Sequence, residues 1–534
     1  MSAATAARPR AGLLLAVLLV AFVGLAASAM LRTSTTFDEI ILPAAGARGY
    51  ATGDFGMVLD HPPVMQYVYG LPLRLMDLRY PPEAGRHWSH IARYQYAQAL
   101  LWGSGNAPER IVAASRLVAV AIGALLVWAT YALGRRSLGQ GPALLAAALV
   151  AFLPDVLAHS GITYNDVPVT LALFAAVFAA DRAVRAPSAA SMALAALLAG
   201  IATGVKLSGA IALPILAALG ALEALGRRGD RAWWKAIARG LPVYALALYG
   251  TLVAIYLGDF HLGRFLDLVR TTAGFGNLGR PALILGKVSH TGFWYFFPVA
   301  FLLKTPAALH ALALVALAGA WLALRRERWA ALAAHRLRAP VVAIALLGAA
   351  LLTSKFDIGF RHAMPVLPFV CLLVAAGVAR AWSAWGGAGR AVIAVLVAAD
   401  IASAVSAYPF FISYLSEYVR GRPVYEALVD SSTDWGQGLV ALRQFMRERG
   451  IRSIYLGYFG SALPEGYGID YVSLPSFFRL PDHPPDPSAR PRYVAVSATL
   501  LAGLYLKDDP YAKLRAERPV AVVARTIYVY EMPP

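Results

Sequence analysis

Two short acidic motifs stand in one polar stretch of this chain: Asp38-Glu39, and Asp60 followed by His61-Pro62-Pro63. The stretch, residues 33–110, separates the first two long apolar runs. Carboxylates beside a histidine can move protons or hold a cation, so a loop of this length on a hydrophobic chain points to chemistry at a membrane surface. A third acid, Asp166, follows Asn165 at the mouth of the fourth apolar run. On the same face fall Arg116, Lys206, Lys304 and the pair Arg361-His362. One acid is often only a helix cap, and one basic residue at a span end often reaches for lipid headgroups. Their gathering on one face is what argues for a membrane enzyme.

The elements that must position these residues are transmembrane helices. Hydrophobic residues make up 59% of the 534, against 15% charged, which excludes a soluble domain of any size. Apolar runs near the ~20 residues needed to cross a bilayer recur at 11–30, 111–133, 142–158, 165–181, 189–205, 207–225, 240–257, 296–323, 340–353, 363–380 and 391–408. The expected fold is therefore a polytopic α-helical membrane protein of about eleven spans. Arginines fill alternate loops: Arg8 with Arg10, Arg135-Arg136, Arg182 with Arg185, Arg227 to Arg239, Arg325 to Arg338, and Arg380 with Arg390. By the positive-inside rule these loops are cytoplasmic, which puts the amino terminus inside, and loop 31–110 and the carboxyl terminus outside. The net charge of +18 is then a topology signal scattered over short loops, and no nucleic acid is expected as a partner. The one cysteine, Cys371, lies in a span, so an intrachain disulfide and a cysteine metal site are both excluded.

Past about Tyr408 charge, proline and glycine return. Short β-type runs at 453–459, 492–497 and 520–530 and a helical pattern at 435–449 predict a small α/β domain outside the membrane, giving domains at 1–408 and 409–534. Asp434 with Gln437 reads as a capping box opening that helix. Asp400, midway through the last run, is explained by pairing to a neighbouring helix, and His261 and His290 read as polar loop residues.

In order and topology these motifs resemble the membrane glycosyltransferases of the GT-C class, specifically the protein O-mannosyltransferase-like group, glycosyltransferase family 39. The resemblance rests on Asp38-Glu39, His61-Pro62-Pro63, Asn165-Asp166-Val167-Pro168, Gly204-Val205-Lys206-Leu207-Ser208, Leu303-Lys304-Thr305-Pro306, and Gly359-Phe360-Arg361-His362 followed by Pro365 and Pro368. Asp430 to Gln437 is similar to an Asp-Ser-Asn-x-Asp-Trp-Gly-Gln stretch of a bacterial branch of that group, with Ser432 where Asn is usual and Gly438 where an acid is usual.

The resemblance implies an inverting transfer of a sugar from a polyprenyl-phosphate donor to a hydroxyl on protein, lipid or glycan. It also implies a bacterial inner-membrane setting with the site facing outward. Asp38 would be the base, with Glu39 and Asp166 orienting the acceptor or assisting. His61, Arg116, Lys206, Lys304, Arg361 and His362 would hold the donor phosphate, and Asp60, Tyr67 and Asn165 would line the site. No cofactor is required; a divalent metal on Asp38, Asp60, His61 or Asp166 is compatible with the residue types. A polysaccharide polymerase or ligase is the alternative enzyme. A transporter or flippase fits less well, because its ionisable residues would sit near mid-membrane within repeated halves.

Overall fold

The computed structural model describes residues 3–83, 87–326, 337–478 and 491–532. Each of the eleven expected spans has a helix at its place, and the chain is a multi-pass membrane protein. Seven helices are long and apolar enough to cross a bilayer: Ala11–Met30, Pro108–Leu138, Asp166–Arg185, Leu207–Gly226, Arg231–Ile255, Phe360–Ala384 and Gly387–Val405. Gln140–Ala151, Ala189–Val205 and Arg338–Leu352 are shorter apolar helices packed among them.

Two expected spans differ in shape. The run 296–323 is broken into Phe296–Lys304 and a second helix from Ala307, bent by 108°. Pro306 lies at that break, where it lacks the N–H that would continue the helix. The run 142–158 is likewise broken: Gln140–Ala151 stops, and Pro154–His159 restarts as a short helix with proline in its first turn. Of the arginine clusters, residues 327–336 lie outside the described residues.

The polar stretch after the first span is folded and helical. Ile41–Thr52 packs on Val64–Gly70, and His90–Gln98 lies against the former. The first two touch backbone to backbone: a Cβ on Gly46 would come within 2.1 Å of the Gln66 carbonyl and 2.7 Å of the Gly70 Cα. Only a glycine contact permits that approach. It fixes the helix that follows His61-Pro62-Pro63 against the first helix of the loop.

The C-terminal unit is α/β, as its patterning predicts. Five strands run in the order Tyr471–Ser473, Ile454–Gly457, Tyr493–Ser497, Ile527–Glu531, Ala521–Val523. The first three are parallel and the last two antiparallel to their neighbours. Run 520–530 is thus a hairpin rather than one strand, and Tyr471–Ser473 is a strand too short for its alternation to stand out.

The capping box is not formed. The helix begins at Leu439, and its end is capped from the first loop, where Ser34 Oγ accepts from the Leu439 N–H at 3.0 Å. Asp434 accepts from the Thr499 N–H at 2.8 Å, and Gln437 Oε1 accepts from the Trp435 N–H at 2.7 Å. The stretch has a different task. It is sewn to the residues just before Asp38, with the Phe37 N–H donating to the Trp435 carbonyl at 2.8 Å and the Ser34 N–H to the Gln437 carbonyl at 3.1 Å.

Candidate active site

Asp38 emerges where three elements meet: the end of the first span, the helices of the first loop and the stretch around Trp435. Phe37 is held by its N–H on Trp435 and by the Ser461 hydroxyl, which donates to its carbonyl. Asp38 and Glu39 therefore point different ways. Asp38 opens into a cavity of about 920 Å³, while Glu39 turns inward and is 1% exposed. Tyr94 donates to Asp38 Oδ1 at 2.7 Å, and Arg361 Nη2 lies 3.4 Å from Oδ2.

Arg361 stands at the start of Phe360–Ala384 and is 4% exposed. Its Nε donates to Ser431 Oγ at 3.0 Å, and its guanidinium lies 4.2 Å from the Trp435 ring centroid and 4.9 Å from that of Tyr164. Gly359 makes the Ser431 contact possible, because a Cβ there would meet Ser431 Oγ at 2.1 Å. Arg361 Nη1 lies 3.5 Å from Asp166 Oδ2 and has no hydrogen-bond partner among the described residues. A planar cation held by its Nε and by two ring faces, with donors left over, can present two parallel N–H groups to a phosphate.

Asp166 sits behind that cation rather than in the cavity. It opens its helix at 1% exposure, takes Lys206 Nζ at 2.6 Å, and so ties Lys206 to Arg361. Lys206 Nζ is also 3.4 Å from His362 Nδ1, and both side chains line the cavity. On the other flank His61 Nε2 meets the Tyr164 hydroxyl at 2.6 Å, and Asp60 is gripped by Arg93 through both guanidinium nitrogens. Burial opposes the Asp60 charge, but His61 and the Arg93 guanidinium hold the carboxyl well below its usual range. Because burial also drives the His61 ring toward its neutral form, the Arg93 fork is the partner that keeps Asp60 ionised.

Of the residues singled out from sequence, Asp38, Asp60, His61, Lys206, Arg361 and His362 line this one cavity. The others lie elsewhere. Arg116, 3% exposed, is closed onto Glu39 at 2.6 and 2.8 Å and onto the backbone carbonyls of Met30, Thr33 and Ser34. Lys304 is fully buried against Asp155 and the carbonyls of Ile412 and Tyr414. Tyr67 donates to the Ile255 carbonyl, and Asn165 is wholly buried. Sequence reasoning could place a cation at a helix end, but not the partner that consumes it.

It also passed over Tyr94, Tyr164, Arg93, Arg280, Asp430 and Trp435, which line the cavity as well. Trp435 carried a signal in its motif; Arg280, in a loop, carried none. Among the described residues no group of three His, Cys, Asp or Glu side chains is arranged to hold a metal ion.

Residues 110–256 match the family described as dolichyl-phosphate-mannose-protein mannosyltransferase. Over that stretch, less than half of its length, the chain is similar to the mannosyltransferases so described. The matched stretch contains Arg116, Asn165, Asp166 and Lys206; Asp38, His61, Lys304 and Arg361 lie outside it. No curated protein matches the sequence. Among solved structures, ArnT from Cupriavidus metallidurans bound to undecaprenyl phosphate aligns at 14% identity over 96% of this chain and 97% of its own, with a TM-score of 0.47. The apo state of the same enzyme aligns at 16% identity over 98% of each chain, with a TM-score of 0.48. The Archaeoglobus fulgidus oligosaccharyltransferase tethered with an acceptor peptide aligns at 12% identity over 74% of this chain and 54% of its own, with a TM-score of 0.39. These are distant likenesses of layout.

Proposed function

We propose that the chain is an inverting glycosyltransferase that moves a sugar from a polyprenyl-phosphate donor to a hydroxyl acceptor at the outer face of the membrane. The observation that carries this reading is the pairing of Asp38 with Arg361 in one cavity at the helix ends. The carboxylate there lies 3.4 Å from a buried guanidinium whose Nη1 has no hydrogen-bond partner among the described residues. Residues 409–534 would form the extracytoplasmic unit that covers this cavity.

In the reaction the acceptor oxygen attacks the anomeric carbon from the face opposite the phosphate. Asp38 takes the hydroxyl proton as the new C–O bond forms. The bond from carbon to the phosphate oxygen breaks, its electron pair leaves with the lipid phosphate, and the configuration inverts. Charge grows on the leaving oxygen, where Arg361 and Lys206 stand ready to receive it. Asp166 acts as a positioning residue: it holds both cations at the ends of separate helices.

The test is Asp38→Asn in purified protein with a polyprenyl-phosphate sugar. Transfer should fall by about two to four orders of magnitude, the usual worth of a general base, with donor binding kept. Near-normal turnover would remove Asp38 as the base.

A further inference from the structure

The cavity has two unlike ends. One is formed by helix termini and carries Lys206, Arg361 and His362. The other is formed by the C-terminal unit and carries Asp430, Tyr505, Phe459 and Phe477. Phe459 stacks on Tyr505 with centroids 5.6 Å apart and planes at 16°, and Phe477 lies 5.1 Å from Tyr505. Phe477 is 44% exposed, a large apolar ring left wet beside a polar cavity. Asp430 has φ +55°, a left-handed conformation unfavourable for a residue with a side chain and found where surroundings impose it. Those surroundings fix its carboxylate: the Tyr505 hydroxyl and the Ser431 N–H each donate to it at 2.5 Å.

Arg280 lies near Tyr505 at this second end, but the Asp430 carboxylate there repels a phosphate, and the three basic side chains Lys206, Arg361 and His362 stand together at the first. A donor whose prenyl chain lies in the bilayer must enter from the helix termini, so its phosphate and sugar occupy the cationic end. The aromatic end is left for the acceptor. Flat ring faces cover the apolar C–H face of a pyranose, and an oriented carboxylate accepts from its hydroxyls; pockets that fix a ligand in this way combine aromatic walls with a few placed polar groups. A serine or threonine hydroxyl on a polypeptide would cover little of either. We propose that the acceptor is a saccharide, its ring lying on Phe477 and Tyr505 with a hydroxyl donating to Asp430. This rests on the glycosyl-transfer reading of the cavity.

Binding alone tests it, without turnover. The full-length protein in detergent would be titrated with a panel of methyl pyranosides by saturation-transfer NMR, and separately with a polyprenyl phosphate. At least one pyranoside should bind through its C–H face. Phe477→Ala should weaken it tenfold or more while the polyprenyl phosphate affinity stays within about twofold, and Asp430→Asn should weaken the pyranoside to a similar degree. Phe477 is exposed, so its truncation leaves the core intact, and Tyr505→Phe, which keeps the ring but removes the hydroxyl that orients Asp430, should also weaken the sugar. Arg361→Ala should do the reverse, losing the lipid phosphate and keeping the sugar. Pyranoside binding indifferent to Phe477 and Asp430 would overturn the subsite. So would a serine-containing peptide that binds in their place while no pyranoside does. A fully active Asp38→Asn, by contrast, would defeat the transfer mechanism and leave these binding results standing.

Discussion

Replacing Arg361 with lysine separates charge from geometry in the proposed phosphate site. The guanidinium is fixed by Ser431 at 3.0 Å and by the Trp435 and Tyr164 rings at 4.2 and 4.9 Å, so its fork has one orientation. A lysine ammonium keeps the charge opposite Asp166 and Asp38, but it lacks the planar fork and can supply only one of two parallel bonds to phosphate. One charge-assisted hydrogen bond is worth about 1.5–3 kcal/mol. Lost from the transition state, that is about a 10- to 150-fold fall in kcat/KM. Arg361→Ala should cost more, because it also leaves buried carboxylate charge less compensated. Steady-state kinetics with a polyprenyl-phosphate sugar would be read beside donor affinity and the thermal unfolding midpoint in detergent. If Arg361→Lys keeps kcat/KM within about threefold at unchanged stability, the fork does not touch the phosphate, and the guanidinium serves only to hold Trp435 against the helix ends.

The buried Glu39–Arg116 pair should prove structural. Glu39→Gln or Arg116→Met alone should destabilise by about 3–5 kcal/mol in thermal unfolding, with the double variant recovering part of the loss, and lost activity at unchanged stability would contradict this. Reporter fusions after Arg136 and Arg228 should read as cytoplasmic, and fusions within the first loop or after Ser432 as external; an external signal at Arg228 would break the proposed orientation. Stability should also depend on pH through the C-terminal unit, where burial raises Asp434 to about 7 and Asp430 to about 6, above the ordinary carboxylate value. The folded chain then binds these protons more tightly than the unfolded chain. Their stabilisation is complete in acid and lost as pH climbs from about 4 through 7, so the unfolding midpoint should fall over that window and Asp434→Asn should flatten the fall.

Apolar run length placed helix at each of the eleven expected runs, although among the described residues only seven unbroken helices are long and apolar enough to cross a bilayer. The two breaks at Pro154 and Pro306 were visible as prolines, but hydropathy averages over such kinks. In the site, Asp38, Lys206 and Arg361 were legible because their motifs fall at helix ends. Burial direction was not. Asp38 and Glu39 are adjacent and chemically alike, and only the long-range bonds of Phe37 to Trp435 and Ser461 decide that one faces the cavity and the other an arginine. The misreading of Asp434 and Gln437 has the same origin: a capping box is a local pattern, and here a serine about 400 residues away, Ser34, takes the capping position while the motif stitches two distant segments.

That stitching bears on how the proposed reaction would keep its charges in balance. Arg361 stands between Asp38 and Asp166, at 3.4 and 3.5 Å, and neither contact is a short, closed ion pair. Asp166 is already committed to Lys206 at 2.6 Å, and Asp60 to Arg93, so Asp38 is the carboxylate of the cavity whose cation is held loosely. A tight Asp38–Arg361 pair would stabilise the carboxylate and make a poor base. A distant one would leave the leaving phosphate without a partner. At the observed spacing, protonation of Asp38 by the acceptor removes one anion from Arg361 as another appears on the leaving phosphate oxygen, so the guanidinium can pass from the base to the leaving group with little net change of charge in the cavity. In the proposed reaction Ser431 and the Trp435 ring would keep the guanidinium in place during that exchange, a positioning role for the Asp430–Gln437 stretch.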